Sequence, residues 1–338
     1  MNRQSGGGWK KVSRWLPGVV LSLAVAVVLY FVTDWQAFAR AFQQVRIISL
    51  LGAVGLTLVF LLLRAAAWRE LLDGKAGFWQ AFRIVNEGYL LNNILIHRAG
   101  EFARAIFMGQ ASGLGFTRAL SSILLERVFD LIFAAGIFLL CLPLVVGATW
   151  AKTAGVITLV LVLAGLAVHF LMGRYRTRVQ TWLERLNIPG KLWNQMLKPQ
   201  AGNLLEGLAV LNRPRRFFLG AGYILLSWLV AFVFHFVILR EFVPDAPFWW
   251  AVFGDTSLAI GIALPSAPAA LGVFEGAIVG AFALLGVQSS TSLAFAITMH
   301  ALQFVTTAVL GLIGLAQDGR SLSQLGRLFE RRHVEASG

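Results

Sequence analysis

The run Leu95-Ile96-His97-Arg98-Ala99-Gly100-Glu101-Phe102-Ala103-Arg104 sets three formal charges and a glycine inside a chain otherwise suited to lipid. A second interruption, Leu264-Pro265-Ser266-Ala267-Pro268-Ala269-Ala270-Leu271-Gly272-Val273-Phe274-Glu275, does the same nearer the other end. An ionisable side chain at membrane depth costs a few kcal/mol at least, so it is usually retained for binding or moving something polar. The two interruptions are therefore the candidate working site.

Composition fixes the solvent. The chain has 338 residues, of which 58% are hydrophobic and 13% charged, with eleven Trp and 26 Phe. Soluble domains carry about 25% charged residues, so the expected class is all-α and polytopic in a membrane. Cys141 is the single cysteine, which excludes an intrachain disulfide.

Six stretches, 16–33, 47–63, 118–146, 153–172, 217–240 and 290–316, read as spanning helices. Segments 78–110 and 248–285 are apolar but break near the middle, at His97 to Gly100 and at Pro265 to Pro268. Each half holds roughly 16 residues, reaches about 24 Å as helix, and falls short of a core about 30 Å thick. They read as re-entrant pairs, tolerated where protein or a polar cavity covers the exposed backbone.

Arg174, Arg176, Arg178, Arg185, Lys191, Lys198, Arg213, Arg215 and Arg216 face only Glu184 and Glu206 in the segment between the fourth and fifth stretches. That segment belongs in the cytoplasm, and with six crossings so do the basic N-terminus (1–15), the Arg64 to Arg83 linker and the tail 317–338. Within one transmembrane domain over 16–316, the first re-entrant pair then enters from the cytoplasm and the second from outside, as inverted repeats do in many secondary transporters. Ala37-Phe38-Ala39 resembles a signal-peptide cleavage site, but the apolar run before it is long for a signal. The net charge of +13 flanks the spans, where topology accounts for it, so no nucleic-acid partner is expected. Val179, Trp182, Leu183 and Leu186, with Leu204, Leu208 and Leu211, make the basic segment 173–216 amphipathic, suited to the headgroup plane or simply an orientation signal.

The candidate substrate-binding residues are Arg98, Glu101, Arg104, Glu126, Arg127, Asp130, Glu275, Asn92, Asn93 and Asp255. Arg98 offers a fixed fork of donors for a lipid phosphate, and Arg98, Glu101 and Arg104 share one helix face. A half-helix starting near Pro268 would aim its N-terminal amides at an anion. The competing reading is that these charges neutralise one another: Arg98 or Arg104 satisfies Glu101, and Arg127 satisfies Asp130. For Arg98, Glu101 and Glu275 the functional reading is preferred, while Glu126, Arg127 and Asp130 divide evenly. Asn92 and Asn93 either line the cavity or cap the broken helix. His300 and Gln303 read as polar packing contacts, and His169 and His235 as packing residues.

Asn92 to Glu101, Thr117-Arg118-Ala119-Leu120, Leu125-Glu126-Arg127-Val128-Phe129-Asp130 and Leu271-Gly272-Val273-Phe274-Glu275 together resemble the signature blocks of the lysylphosphatidylglycerol synthase transmembrane family, in order across residues 78–316. The resemblance implies a flippase-like domain that moves polar lipids between leaflets: aminoacylated phosphatidylglycerol in two-part synthases, isoprenoid-linked or other lipids in stand-alone members. Ile96 replaces the usual proline, His97 a common glycine, and Ala269-Ala270 a glycine pair, which points to a different headgroup. The stretch 317–338 leaves no room for an aminoacyl-transferase domain, so translocation without lipid synthesis is the expectation.

No Gly-x-x-x-x-Gly-Lys-Ser/Thr loop and no metal-ligand spacing occurs, so neither an ATP site nor a metal or other cofactor is expected. Movement would be passive, partner-driven or coupled to an ion, with Glu101 or Glu275 as a protonatable group. The expected function is a non-enzymatic membrane lipid translocator of the cell membrane, with membrane lipids (anionic, aminoacylated or isoprenoid-linked) as partners and a homo-oligomer open. Its competitors are a non-transporting scaffold, in which charge-neutralising double substitutions keep activity, and a lipid-linked transferase. The transferase is disfavoured because the outward links carry only Asp34, Glu241 and Asp245.

Overall fold

The computed structural model describes residues 7–95, 99–146, 213–264 and 266–320, with isolated positions between 153 and 185, and only the backbone of 7–19 and 146. The expected crossing at 153–172, His169, most of the basic segment, the tail from 321, and Arg98 and Pro265 lie outside the described residues. Among the described residues all regular structure is helical: α1 (Gly7–Val32), α2 (Trp35–Gln43), α3 (Ile47–Leu71), α4 (Phe78–Ile94), α5 (Ala99–Ala111), α6 (Phe116–Val146), α7 (Pro214–Phe242), α8 (Phe248–Gly261), α9 (Val273–Ala283) and α10 (Ser289–Gln317).

Four of these, α3, α6, α7 and α10, are long and apolar enough to cross a membrane. The C-terminal part of α1 and the whole of α2 make a fifth crossing only if counted as one helix bent by 91°. The bend is local chemistry. Asp34 caps α2, its carboxylate accepting the amides of Gln36 and Ala37 at 2.9 and 3.1 Å, while its own amide donates to Ser290 Oγ at 2.9 Å.

Side-chain pairs collect the helix ends onto two faces. On one, Glu241 at the end of α7 accepts from the backbone and guanidinium of Arg46 and from Ser49 Oγ at the start of α3. These hydrogen bonds and the carboxylate's charge raise the Arg46 pKa above its ordinary value. On the other face, Glu70 and Asp73 at the end of α3 meet Arg216 and Arg213 at the start of α7, and Arg83 of α4 meets Asp318 just after α10. Helices α3 and α7 run antiparallel between the faces, with Gly220 against Leu71.

The short helices stop part-way. Helix α4 climbs antiparallel to α10, and its end is marked by Asn93 Nδ2 donating to Thr307 Oγ1 at 3.0 Å. Thr307 lies ten residues before the end of α10, about 15 Å up, near half the thickness of a hydrocarbon core. From the opposite face α8 descends for 14 residues, and α9 begins at Val273, where Glu275 meets His300, eleven residues into α10. Two broken-helix hairpins, α4/α5 and α8/α9, thus start from opposite ends of the long helices, and the turn joining α8 to α9 packs against the first hairpin through α4. Gly311 and Gly314 bring α10 against α4.

Both breaks differ from their expected positions. Helix resumes by Ala99, so Gly100 is inside α5, where its amide donates to Asn92 Oδ1 at 2.9 Å and a Cβ would collide with the Gly88 carbonyl oxygen. The second break is wider. Ala269 and Ala270 (φ 56° and 58°) form a 3₁₀ turn, and the left-handed Gly272 (φ 79°) delays the helix to Val273.

Candidate functional site

Three helices bring six charges together where α5 packs on α6. Arg104 of α5 is 1% exposed; its guanidinium lies 3.1 Å from Glu101 and 2.9 Å from Glu126, and 4.3 Å over the Trp68 ring. Arg127 of α6 reaches Glu126 at 2.9 Å, Asp130 at 3.2 Å and Glu101 at 3.6 Å. Arg64 of α3 grips both oxygens of Asp130, at 2.8 and 2.6 Å, and touches Glu126 at 3.3 Å. Trp228 of α7 adds an indole N–H to Asp130 at 3.1 Å, and Trp68 donates to Ser122.

The cluster holds three arginines and three carboxylates, so its formal charge is zero. Every carboxylate touches at least two arginines: Glu101 touches Arg104 and Arg127, Asp130 touches Arg64 and Arg127, and Glu126 touches all three. The Nε–H of each arginine is buried without an acceptor among the described residues. The Arg127 side chain is 29% exposed, against 5% and 1% for Arg64 and Arg104, so it forms the rim of the cluster.

Arg64 is the member that the sequence reading placed elsewhere, in a linker at the cytoplasmic side. Its signal was present: the apolar run Leu61-Leu62-Leu63 continues past it as Ala65-Ala66-Ala67-Trp68, and α3 extends to Leu71. Arg98, the residue expected to hold a lipid phosphate, lies outside the described residues.

The remaining candidates separate from the cluster. Asn92 Oδ1 receives the Gly100 amide and Asn93 bonds to Thr307, so both are engaged in holding the break. Glu275 also faces inward: it accepts the Gly272 amide at 2.7 Å, capping its own helix, and the His300 Nδ1–H at 2.6 Å, with the imidazole stacked on Phe274. The expected anion-binding helix start therefore carries its own carboxylate at its cap. Asp255, on α8, lies 3.2 Å from His235 Nε2 on α7, so His235 is more than the packing residue expected, and His300 is the hydrogen-bond partner of Glu275.

Comparison with known proteins matches this architecture to one family. The model of the lysylphosphatidylglycerol synthase TM region matches residues 18–311, all ten described helices falling wholly or largely inside that range. The chain belongs to this family. It is also similar to a UPF0104 membrane protein of Methanothermobacter thermautotrophicus, 23% identical over 334 residues that cover 90% of this chain and 94% of the relative. No solved structure matches the chain.

Proposed function

We propose that this family member is a lipid translocator, moving a polar or anionic lipid between leaflets past two inverted half-crossings, with the Arg–carboxylate cluster as the place where the headgroup is handled. The observation that carries the reading is the redundancy around Arg127: it contacts all three carboxylates, yet each of them keeps another arginine if it leaves. A buried ion network is weak evidence for stability, since packed apolar residues often replace one without loss. A network that can release its most exposed arginine at small cost has a use for it, and a guanidinium freed in a low-dielectric site grips a phosphate with two parallel N–H bonds. The basic residues Arg213, Arg216 and Arg320 at the helix ends support a cytoplasmic position for the face they share, by the positive-inside rule.

The zero formal charge of the cluster also favours a second reading, a scaffold in which the six groups only lock α3, α5 and α6 together. Arg127→Ala distinguishes the two. In vesicles containing a fluorescent phosphatidylglycerol, translocation by the purified variant is expected to fall to the protein-free rate while its unfolding midpoint drops only modestly, since Arg127 is the most exposed of the three arginines. Full translocation by Arg127→Ala removes the residue from the mechanism, and a collapse of stability supports the lock.

A further inference from the structure

His235 and Asp255 face each other across α7 and α8, and both are buried, at 1% and 8% exposure. His235 Nδ1 lies 2.9 Å from the carbonyl oxygen of Ala231. A carbonyl only accepts, so Nδ1 carries a hydrogen. In a neutral imidazole Nε2 would then be a bare acceptor, yet it sits 3.2 Å from Asp255 Oδ1, which as a carboxylate oxygen is an acceptor too. Two lone pairs do not face each other at that distance in an apolar interior without a proton to share. The contact is off the alignment of a full hydrogen bond, and Asp255 Oδ2 has no partner among the described residues, so a second hydrogen bond does not hold the carboxylate in place.

Among the described residues the pair makes no other ion contact. Ala53 of α3, Cys141 and Phe138 of α6, Phe282 of α9 and Phe295 of α10 enclose the pair's apolar cluster, and the Cys141 thiol is the titratable group among them. Of the ionisable groups that these helices and α7 carry elsewhere, Arg64 pairs with Asp130, Glu275 with His300 and Glu241 with Arg46, and Arg240, five residues on from His235, lies over the Phe236 ring. Seven residues separate Asp255 from the start of α8 and His235 from the end of α7, about 10 Å of helix from the face where those two helices join.

We propose that His235 and Asp255 form a proton-binding site, loaded from the face where α7 joins α8, that couples proton binding to movement of the α8/α9 hairpin. With the proton in place, imidazolium and carboxylate, or imidazole and carboxylic acid, tie α8 to α7. Without it, two acceptors repel across the same gap and the hairpin is released. The proton comes from water at that face and returns to water, and no other bond changes. The coupling half of this proposal rests on the translocation reading; the proton site does not. It also relocates the coupling group from Glu101 and Glu275, which are held by arginine and histidine partners, to a carboxylate with one oxygen unengaged.

The test uses the full chain in lipid nanodiscs, followed by infrared spectroscopy through a pH titration. Wild type is expected to show, as the pH falls, either a carboxyl band that is absent from Asp255→Asn or an imidazolium ring band that is absent from His235→Gln. Both replacements are close in size to the native side chains, and either one alone supplies the comparison if the other does not fold. Titrations identical in wild type and both variants overturn the proton site. In vesicles with an imposed pH gradient, wild type is expected to move lipid several-fold faster in one gradient direction, and Asp255→Asn equally in both. A titrating band in a protein whose lipid movement ignores the gradient overturns the coupling, and one that moves no lipid under any condition overturns translocation while the proton site stands.

Discussion

Replacing Arg104 with methionine keeps an apolar stem against Gly88 of α4 and removes the guanidinium, with its charge, its hydrogen bonds and its place over the Trp68 ring. The guanidinium is essentially inaccessible and holds one oxygen of Glu101 at 3.1 Å and one of Glu126 at 2.9 Å. Removing one partner of a buried pair costs about 3–5 kcal/mol, because the other charge stays behind in a low-dielectric site. Here Glu126 retains Arg64 and Arg127 and Glu101 retains Arg127, which places the cost at the lower end, about 3 kcal/mol. The lost cation–π contact adds about 1 kcal/mol. Glu126→Gln alone is expected to be similarly costly, and the double variant, whose net charge is zero again, to fall short of the sum by about 1–3 kcal/mol. Reversible unfolding in mixed micelles, followed by tryptophan fluorescence, measures all three. A single-variant cost below about 1 kcal/mol, or a double variant that is additive, refutes the description of the cluster as one buried, mutually dependent network.

Gly100→Ala is expected to lose about 1–3 kcal/mol because its Cβ has no room against Gly88 and Asn92, whereas Gly52→Ala, facing open space on α3, should be neutral or gain up to about 1 kcal/mol from helix propensity; thermal unfolding of the two side by side checks the contrast. At Glu275 the geometry asks for an acceptor and not for a charge as such. Glu275→Gln, whose amide oxygen still accepts the Gly272 N–H while its NH2 donates to His300 Nδ1 in the imidazole's other tautomer, should stay near wild type, while Glu275→Leu should lose about 1–3 kcal/mol for the groups left unpaired. Equal losses in the two variants would show that charge, and not capping, holds the start of α9.

The hairpins were legible because length is a hard constraint: a helix of about 16 residues cannot cross, and a charge or a proline pair says where it stops. Arg64 was misplaced because a polar residue at the edge of an apolar run reads as the run's end, although the apolar pattern resumed for one more turn. Glu275 was read as a site residue because an ionisable group at membrane depth is costly, with the half-helix started near Pro268. The left-handed Ala269 and Ala270 move that start to Val273, and at the resulting position the carboxylate folds back onto its own cap. Nothing local in the sequence announces left-handed alanines. The pairing of His235 with Asp255 was hidden for another reason: the two residues lie on successive helices, and which faces meet depends on how α7 and α8 pack around the Phe253 and Phe295 rings.

The neutrality of the six-charge cluster and its proposed use are parts of one argument. A lone arginine at this depth would cost a few kcal/mol at rest, so any protein that keeps one there must keep a carboxylate beside it. A strict one-to-one pair, however, cannot give up its arginine to a phosphate without stranding the carboxylate. Three carboxylates spread over three arginines avoid this. When Arg127 turns outward, Glu101 falls back on Arg104, Asp130 on Arg64, and Glu126 on both. The cluster then carries a net charge of −1 beside a phosphate of −1 already held by the departing guanidinium, and this repulsion limits how long the headgroup stays. A translocator needs that combination, since a site that bound the headgroup without opposition would hold it and turn over slowly. The argument assigns the three arginines different duties, Arg64 and Arg104 to hold the carboxylates and Arg127 to leave them, and the exposures of 5%, 1% and 29% fall in that order of freedom.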